Sequence, residues 1–229
     1  MRVIHITHLM VVGKEENMQV IIMAGGKYND FEKHKALSLI HGEILIERTI
    51  RLLKEHGINN WYISTNNPDF DKYGNILHHE NSFECGKDGV KGYWVDAFYP
   101  TEEPTIYLHG DVYYTDDAMN KILNYQTNVN TLIGNHIAMN PQHIDMGEPF
   151  GWIIVNQKDF RTAINKCKEL QDTGKLNRGL AISWELYRVL NNLDPNRMVI
   201  LEETYLCISD NTIDVDYPEQ IEMVNKGLR

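Results

Sequence analysis

The clearest hydrophobic signal in the chain is residues 20–24, VIIMA, an unbroken apolar run short enough for a buried strand and closed by Gly25-Gly26. A polar stretch leads to Lys35, and a helical pattern begins beyond it. Residues 45–56 carry apolar side chains at 46, 50 and 53, an i, i+4, i+7 stripe, and Gly57 is placed to end that helix. Residues 61–64 form a second strand, stopped by Asn66-Asn67-Pro68. Strand, glycine loop, helix and strand make a βαβ unit, which requires parallel strands and a right-handed crossover. A shorter strand is expected at 76–79, a loop at 80–92 around Gly86, Gly89 and Gly92, and a buried strand at 105–109 that runs into Gly110-Asp111. A helix starts near Thr115, with Asp116 and Asp117 in its first turn, where negative charge suits the helix dipole. Further strands are expected at 131–138, 151–155 and 198–207, and helices at 158–170 and 180–191. A last helix begins at Pro218, a residue suited to the first helical position. The pattern predicts an α/β fold with a mixed, mainly parallel sheet between helices, occupying 18–229 as one domain. Residues 1–17 read as an added strand or a disposable extension, because their short apolar run contains His5 and His8 and lacks the small-residue site of a signal peptide.

Composition narrows the function classes. At 229 residues the chain can bury the core of one sizeable α/β domain. A net charge of −10, with aromatic residues not interleaved with basic ones, speaks against nucleic acid as a partner. It is compatible with a nucleotide enzyme, in which a few lysines and a metal ion hold a triphosphate. Cys85, Cys167 and Cys207 share no metal-ligand spacing and read as reduced thiols of a cytoplasmic protein. The pairs His5/His8 and His78/His79 have no cysteine or acidic partner at zinc spacing. No run approaches the roughly 18 apolar residues of a membrane span, so no membrane partner is expected.

Chemistry concentrates at three places. A strand ending in Gly25-Gly26 lets backbone N–H groups approach a phosphate without an intervening Cβ, and Lys27 and Lys35 add positive charge to that cradle. Asp111 lies just past the carboxyl end of a buried strand, where open α/β sheets place ligands; it reads equally well as a turn cap. In TIDVDYPEQ, Asp214 and Asp216 alternate with Ile213 and Val215 and so share one face of a short strand, while Asp216 is also placed to cap the Pro218 helix. Separated carboxylates beside a glycine–lysine cradle suggest a site for a metal-bound triphosphate, and oxygen-only ligands fit Mg²⁺ or Mn²⁺.

Ala24-Gly25-Gly26, Lys35-Ala36-Leu37, Gly110-Asp111 and Asp216 within VDYPEQI resemble the motifs of the sugar-phosphate and choline-phosphate nucleotidylyltransferases. The spacing of the first loop is similar to that of the molybdenum-cofactor guanylyltransferases. The resemblance implies a Rossmann-like three-layer sandwich of the glycosyltransferase-A type. It also implies a loop at Ala24, Gly25, Gly26 and Lys27, with Gly110, around the nucleotide, Lys35 on phosphate, and a metal held by Asp111 and Asp216. The implied reaction is attack by a substrate phosphate on the α-phosphorus of a nucleoside triphosphate, CTP favoured, with release of pyrophosphate. The acceptor would be a small phosphorylated metabolite, such as a sugar phosphate or a phosphocholine-like head group, used in surface-polysaccharide or lipid head-group assembly by a monomer or homodimer. Two departures stand out. Asp30 occupies the position where the family loop usually carries arginine, and Asp111-Val112-Tyr113 offers one carboxylate where metal-dependent glycosyltransferases of this fold show Asp-x-Asp. Residues 80–96 fall where base and substrate contacts are expected, with Lys87, Lys91, Trp94 and Asp96 as candidates. Residues 147–152 resemble a segment that closes over an acceptor, and equally an ordinary turn into a strand. A glycosyltransferase of the same fold and a non-catalytic nucleotide-binding protein are the alternative readings.

Overall fold

A computed structural model of the chain describes residues 18–28, 33–86, 89–135 and 147–226. The extension 1–17, Asp30, Lys87 and positions 136–138 of an expected strand lie outside the described residues.

The first strands are β1 (Gln19–Met23), β2 (Lys27–Tyr28), β3 (Leu39–Ile40) and β4 (Glu43–Ile44), followed by helix α1 (Leu45–Glu55). Then come β5 (Trp61–Thr65), β6 (Ile76–His78), β7 (Glu84–Gly86), β8 (Gly89–Lys91), β9 (Thr105–His109), β10 (Val112–Tyr113) and α2 (Asp116–Leu123). The chain continues through β11 (Thr131–Gly134), β12 (Pro149–Ile154), α3 (Gln157–Asp172) and α4 (Ser183–Leu190) to β13 (Tyr205–Cys207), β14 (Ile213–Asp214) and α5 (Pro218–Asn225). The central sheet has the order β13-β11-β12-β9-β1-β5-β6. Every neighbouring pair is parallel except the two that β12 makes, with β11 and with β9. This is the mixed, mainly parallel sheet expected from the strand–helix alternation, in the Rossmann-like arrangement that the resemblance implied.

Period-two alternation in β1 divides the core between the two faces. Val20 and Ile22 join α1 and α2 through Ile46, Ile50, Leu53, Ala118 and Ile122. Ile21 and Met23 face the other layer, where Tyr107 and Trp152 pack with Phe160 of α3 and Tyr187 of α4. The helix ends follow local chemistry. The Gly57 N–H bonds the Lys54 carbonyl at 2.9 Å, and φ is +77° at Gly57, a value glycine adopts without steric cost. The Thr115 hydroxyl accepts the Ala118 N–H at 3.0 Å and the Asn156 side chain accepts the Asp159 N–H at 3.1 Å; such caps each contribute about 1 kcal/mol.

Three expectations change. The segment 80–92 is not simply a loop: β7 and β8 form a hairpin whose first strand pairs in parallel with β2, Lys27 opposite Glu84 and Tyr28 opposite Cys85. Pairing over such a separation leaves no local periodicity. The strand expected at 198–207 is confined to β13, preceded by a short turn of 3-10 helix at Glu202–Thr204. Upstream, the Tyr187 hydroxyl takes the Leu201 N–H at 2.8 Å and donates to the Leu201 carbonyl at 3.1 Å, so this backbone serves α4 and not the sheet. Finally, Lys35 does not lead directly into α1. It sits in a single 3-10 turn, Lys35–Leu37, and the β3–β4 hairpin intervenes. Among the described residues no helix is long and apolar enough to cross a membrane.

Candidate functional site

Strands β1 and β9 are neighbours, with Met23 opposite His109, so the Gly25-Gly26 turn and the Gly110-Asp111 turn leave the sheet side by side. From β1 the chain winds outward through β5 to β6, and β9 lies on its other flank. Such a reversal opens a crevice at the carboxyl ends of the strands. The Gly110 N–H donates to the Met23 carbonyl at 2.9 Å, and a Cβ at Gly110 would lie 2.7 Å from that oxygen. Glycine is therefore required there by the approach of the two strands. A Cβ at Gly25 would meet nothing nearer than 3.6 Å, so the fold itself does not demand glycine at that position.

The acids and the lysine do converge. Lys35 is 2% exposed, and its Nζ lies 2.8 Å from Asp111 Oδ2 and 3.2 Å from Asp216 Oδ1. Asp216 reaches this point because β14 pairs antiparallel with β10 and the Val215 N–H donates to the Asp111 carbonyl at 3.1 Å. The Gln220 side chain accepts the Asp216 and Tyr217 N–H groups at 2.6 and 2.8 Å, which ties this turn to α5. Lys35 is itself set by a 3-10 turn whose Ala36 N–H donates to His34 Nδ1 at 3.2 Å.

The electrostatics are uneven. Burial raises the Asp111 pKa, but the Lys35 charge and then His109 outweigh it, leaving the carboxyl below its usual value. Asp214 goes the other way: burial, then the charges of Asp111 and Asp216, hold its pKa well above the carboxylate range. Its Oδ1 is buried without a hydrogen-bond partner. Burial also lowers His34 to about 4, so its imidazole is neutral at physiological pH. Two carboxylates, Asp111 and Asp216, thus meet one ammonium, with Asp214 beside them favoured in its protonated form. No trio of His, Cys, Asp or Glu among the described residues is arranged to hold a metal ion.

These groups line a cavity of 510 Å³, within the range of small-molecule sites. Gly25, Asn81, Phe83 and Cys85 contribute on the side of the glycine turn, and Asn81 donates to the Gly25 carbonyl at 3.1 Å. Glu148 and the α4 residues Trp184, Glu185 and Arg188 contribute another wall. Of the acceptor candidates, Trp94 lines this cavity. Lys91 is exposed on β8 and is not among the lining residues. Asp96 is engaged elsewhere, paired with Lys168 and accepting the Ser82 hydroxyl at 2.6 Å beside a separate 240 Å³ cleft. The Lys27 backbone lies in β2, and Ala24 and Gly26 flank Gly25 in the turn. Gly147, Glu148 and Pro149 border the cavity, whereas Phe150 and Trp152 are core residues of β12. Sequence reasoning missed Asn81, His109 and the polar face of α4. Only the last left a signal, since Trp184 and Arg188 are spaced to share one side of a helix that also buries Glu185.

Residues 20–91 match the model of the MobA-like NTP transferase domain. No curated protein sequence matches the chain. A candidate glucose-1-phosphate thymidylyltransferase from Bacillus anthracis, solved with sucrose, superposes with a TM-score of 0.56 at 16% identity, covering 93% of this chain and 96% of that one. The CTP:phosphocholine cytidylyltransferase of Streptococcus pneumoniae superposes with a TM-score of 0.56 at 14% identity, covering 93% and 99%. The chain has the fold of these two structures, and its residues 20–91 are similar to the MobA-like NTP transferase domain.

Proposed function

We propose that the protein is a nucleotidylyltransferase that moves a nucleoside monophosphate from a nucleoside triphosphate, CTP favoured, to a small phosphorylated metabolite such as a sugar phosphate or a phosphocholine-like head group. The observation that carries this reading is the placement of Lys35 between Asp111 and Asp216 beside the Gly25 turn. Asp111 and Asp216 would hold Mg²⁺ or Mn²⁺, which when bound neutralises triphosphate charge. The Gly25-Gly26 turn gives the triphosphate a place to approach the backbone, and Lys35 supplies a fixed cation at the transferring phosphorus. An oxygen of the acceptor phosphate attacks the α-phosphorus in line, the bond to the β-phosphate bridging oxygen breaks, and pyrophosphate leaves. The attacking oxygen is already anionic, so the chain need not supply a general base. Catalysis rests on alignment and charge compensation. Glu148 and the α4 wall then face the acceptor. By family resemblance the product serves surface-polysaccharide or lipid head-group assembly in the cytoplasm.

The test is pyrophosphate release from ATP, CTP, GTP and UTP with Mg²⁺ and a panel of sugar phosphates and phosphocholine. Activity that needs a free triphosphate supports the reading. Transfer from a nucleotide sugar with no pyrophosphate formed would replace it with a glycosyltransferase, for which Tyr113, in place of a second aspartate, gives no support.

A further inference from the structure

The connection from α3 to α4 brings hydrogen-bond donors to the 510 Å³ cavity and no acids to match them. Asn177 and Arg178 line the cavity from this connection, and both are exposed. Their backbone is held in one shape. The Asn177 N–H donates to Asn196 Oδ1 at 2.7 Å, and the Asn196 amide donates to the Lys175 carbonyl at 2.9 Å. The Gly179 N–H closes the turn on the Leu176 carbonyl at 2.9 Å, with φ +72° at Gly179 and Leu176 buried. The side chains of Asn177 and Arg178, by contrast, make no hydrogen bond or ion pair among the described residues. The acids around Arg188 are engaged elsewhere. Glu185 accepts the Ile182 N–H at 3.1 Å and lies 3.5 Å from Arg188, and Asp194 accepts the Asn196 N–H at 3.0 Å and pairs with Arg197. Burial lowers the Arg188 pKa, Glu185 opposes this, and the charge of Arg178 lowers it further, so the two guanidinium groups repel.

We infer that Arg178, with Asn177 next to it, binds a second anionic group of the acceptor, a carboxylate or a further phosphate carried away from the phosphate that reacts. This rests on the nucleotidylyl-transfer reading of the cavity, which puts the reacting phosphate beside Lys35, Asp111 and Asp216. The charges that act most on Asp111 are those of Lys35, His109 and His34, whereas Arg178 acts on Arg188. The cavity thus holds positive charge at two separate places. A guanidinium presents a planar fork that meets a carboxylate or phosphate with two parallel hydrogen bonds. Ile182, Trp184 and Pro195 make the adjoining lining largely apolar, which strengthens such a pair by keeping water from one side of it. An ammonium at this place would meet two like charges. Within the proposed acceptors, an acidic sugar phosphate is therefore favoured over a phosphocholine-like head group.

The test is calorimetric titration of the full chain in Mg²⁺, first with ATP, CTP, GTP and UTP to find the tightest. Protein saturated with the α,β-methylene analogue of that nucleotide is then titrated with acceptors that differ in the remote anion. Glucose 1-phosphate is set against glucuronic acid 1-phosphate and glucose 1,6-bisphosphate, which separate a carboxylate from a phosphate. Glycerol 3-phosphate is set against 3-phosphoglycerate, and phosphoethanolamine against phosphoserine. In at least one set the parent binds the member with the second anion about fivefold or more tightly. Arg178→Gln abolishes that preference and leaves the member without the second anion within about twofold of the parent. Arg178→Lys, which keeps the charge without the fork, retains part of it. The inference is overturned by a parent without preference in any set, which needs no variant to be read. It is also overturned if the preference survives in Arg178→Gln, or if that variant weakens every acceptor alike, which would place Arg178 on the reacting phosphate or in the packing of the wall. A parent that binds none of the triphosphates overturns the nucleotidylyl-transfer reading and the inference with it. Triphosphate binding without an acceptor preference overturns the inference alone.

Discussion

Replacing Lys35 by Met tests the central ion cluster most directly, because Met keeps the apolar stem in the same pocket and deletes only the charge. The Lys35 side chain is 3% exposed, Asp111 17% and Asp216 47%. Asp216 is screened by water, so its pair with Lys35 contributes little. Asp111 is different: removing one partner of a buried pair leaves an uncompensated charge, which costs about 3–5 kcal/mol. The expected loss is therefore about 3 kcal/mol, near the lower end because Asp111 retains some solvent contact. The Asp111 pKa is depressed in the folded protein, so its contribution is present above the ordinary carboxylate value and lost as pH falls through the folded value. The difference between Lys35→Met and the parent should accordingly shrink in acid. Urea denaturation in EDTA and in millimolar Mg²⁺ measures both the loss and its repair, since a divalent ion held as proposed by the two aspartates would take over the compensation. Mg²⁺ should stabilise the variant more than the parent, while pyrophosphate release falls about a hundredfold or more. A variant within about 1 kcal/mol of the parent in EDTA, and indifferent to Mg²⁺, would refute the convergence of charge on which the site is built.

Other expectations follow from the same geometry. Gly25→Ala should leave stability within about 1 kcal/mol of the parent, because its Cβ meets nothing nearer than 3.6 Å, yet lower nucleotide affinity at least about tenfold in calorimetry. Gly110→Ala, whose Cβ would lie 2.7 Å from the Met23 oxygen, should instead cost about 1–3 kcal/mol in denaturation, and the reverse ranking of the two would contradict the assigned roles. His34, lowered from 6.5 to about 4, binds its proton less readily folded than unfolded, so stability should fall as pH drops from 6.5 towards 4. The shift corresponds to about 3 kcal/mol at the acid end, and His34→Gln should flatten that part of a pH–denaturation profile. Trp152→Ala, at a fully buried position against Phe98, Phe160 and Tyr187, should cost about 3–5 kcal/mol; a change below 1 kcal/mol would mean that this core relaxes freely.

The sequence was most legible where local pattern and tertiary role coincide. The VIIMA run, the 46/50/53 stripe of α1 and the Pro218 helix start all appear in the structure, because each element's own periodicity matches the face it buries. Alternation in TIDVD put Asp214 and Asp216 on one face, and the strand before Gly110-Asp111 put Asp111 at the sheet edge, but no local pattern could show Asp111 and Asp216 meeting at Lys35. What escaped notice depends on distant partners. The β2–β7 pairing, the capture of Leu201 by Tyr187 and the burial of His109 are set by residues far along the chain. A histidine inside the apolar run TIYLH reads as core until Pro149 and Trp94 are seen around it.

The short ladder joining β2 to the β7–β8 hairpin has a practical corollary for anyone transplanting parts of this molecule. The backbone that follows the glycine turn is stitched to a piece of chain roughly as far along as the next crossover, and Asn81 ties the turn itself to the approach of that piece. The two stretches thus behave as one exchangeable cassette. A chimera that imports the turn from another protein of this fold without its companion hairpin would inherit mismatched edges, so the two should be moved together.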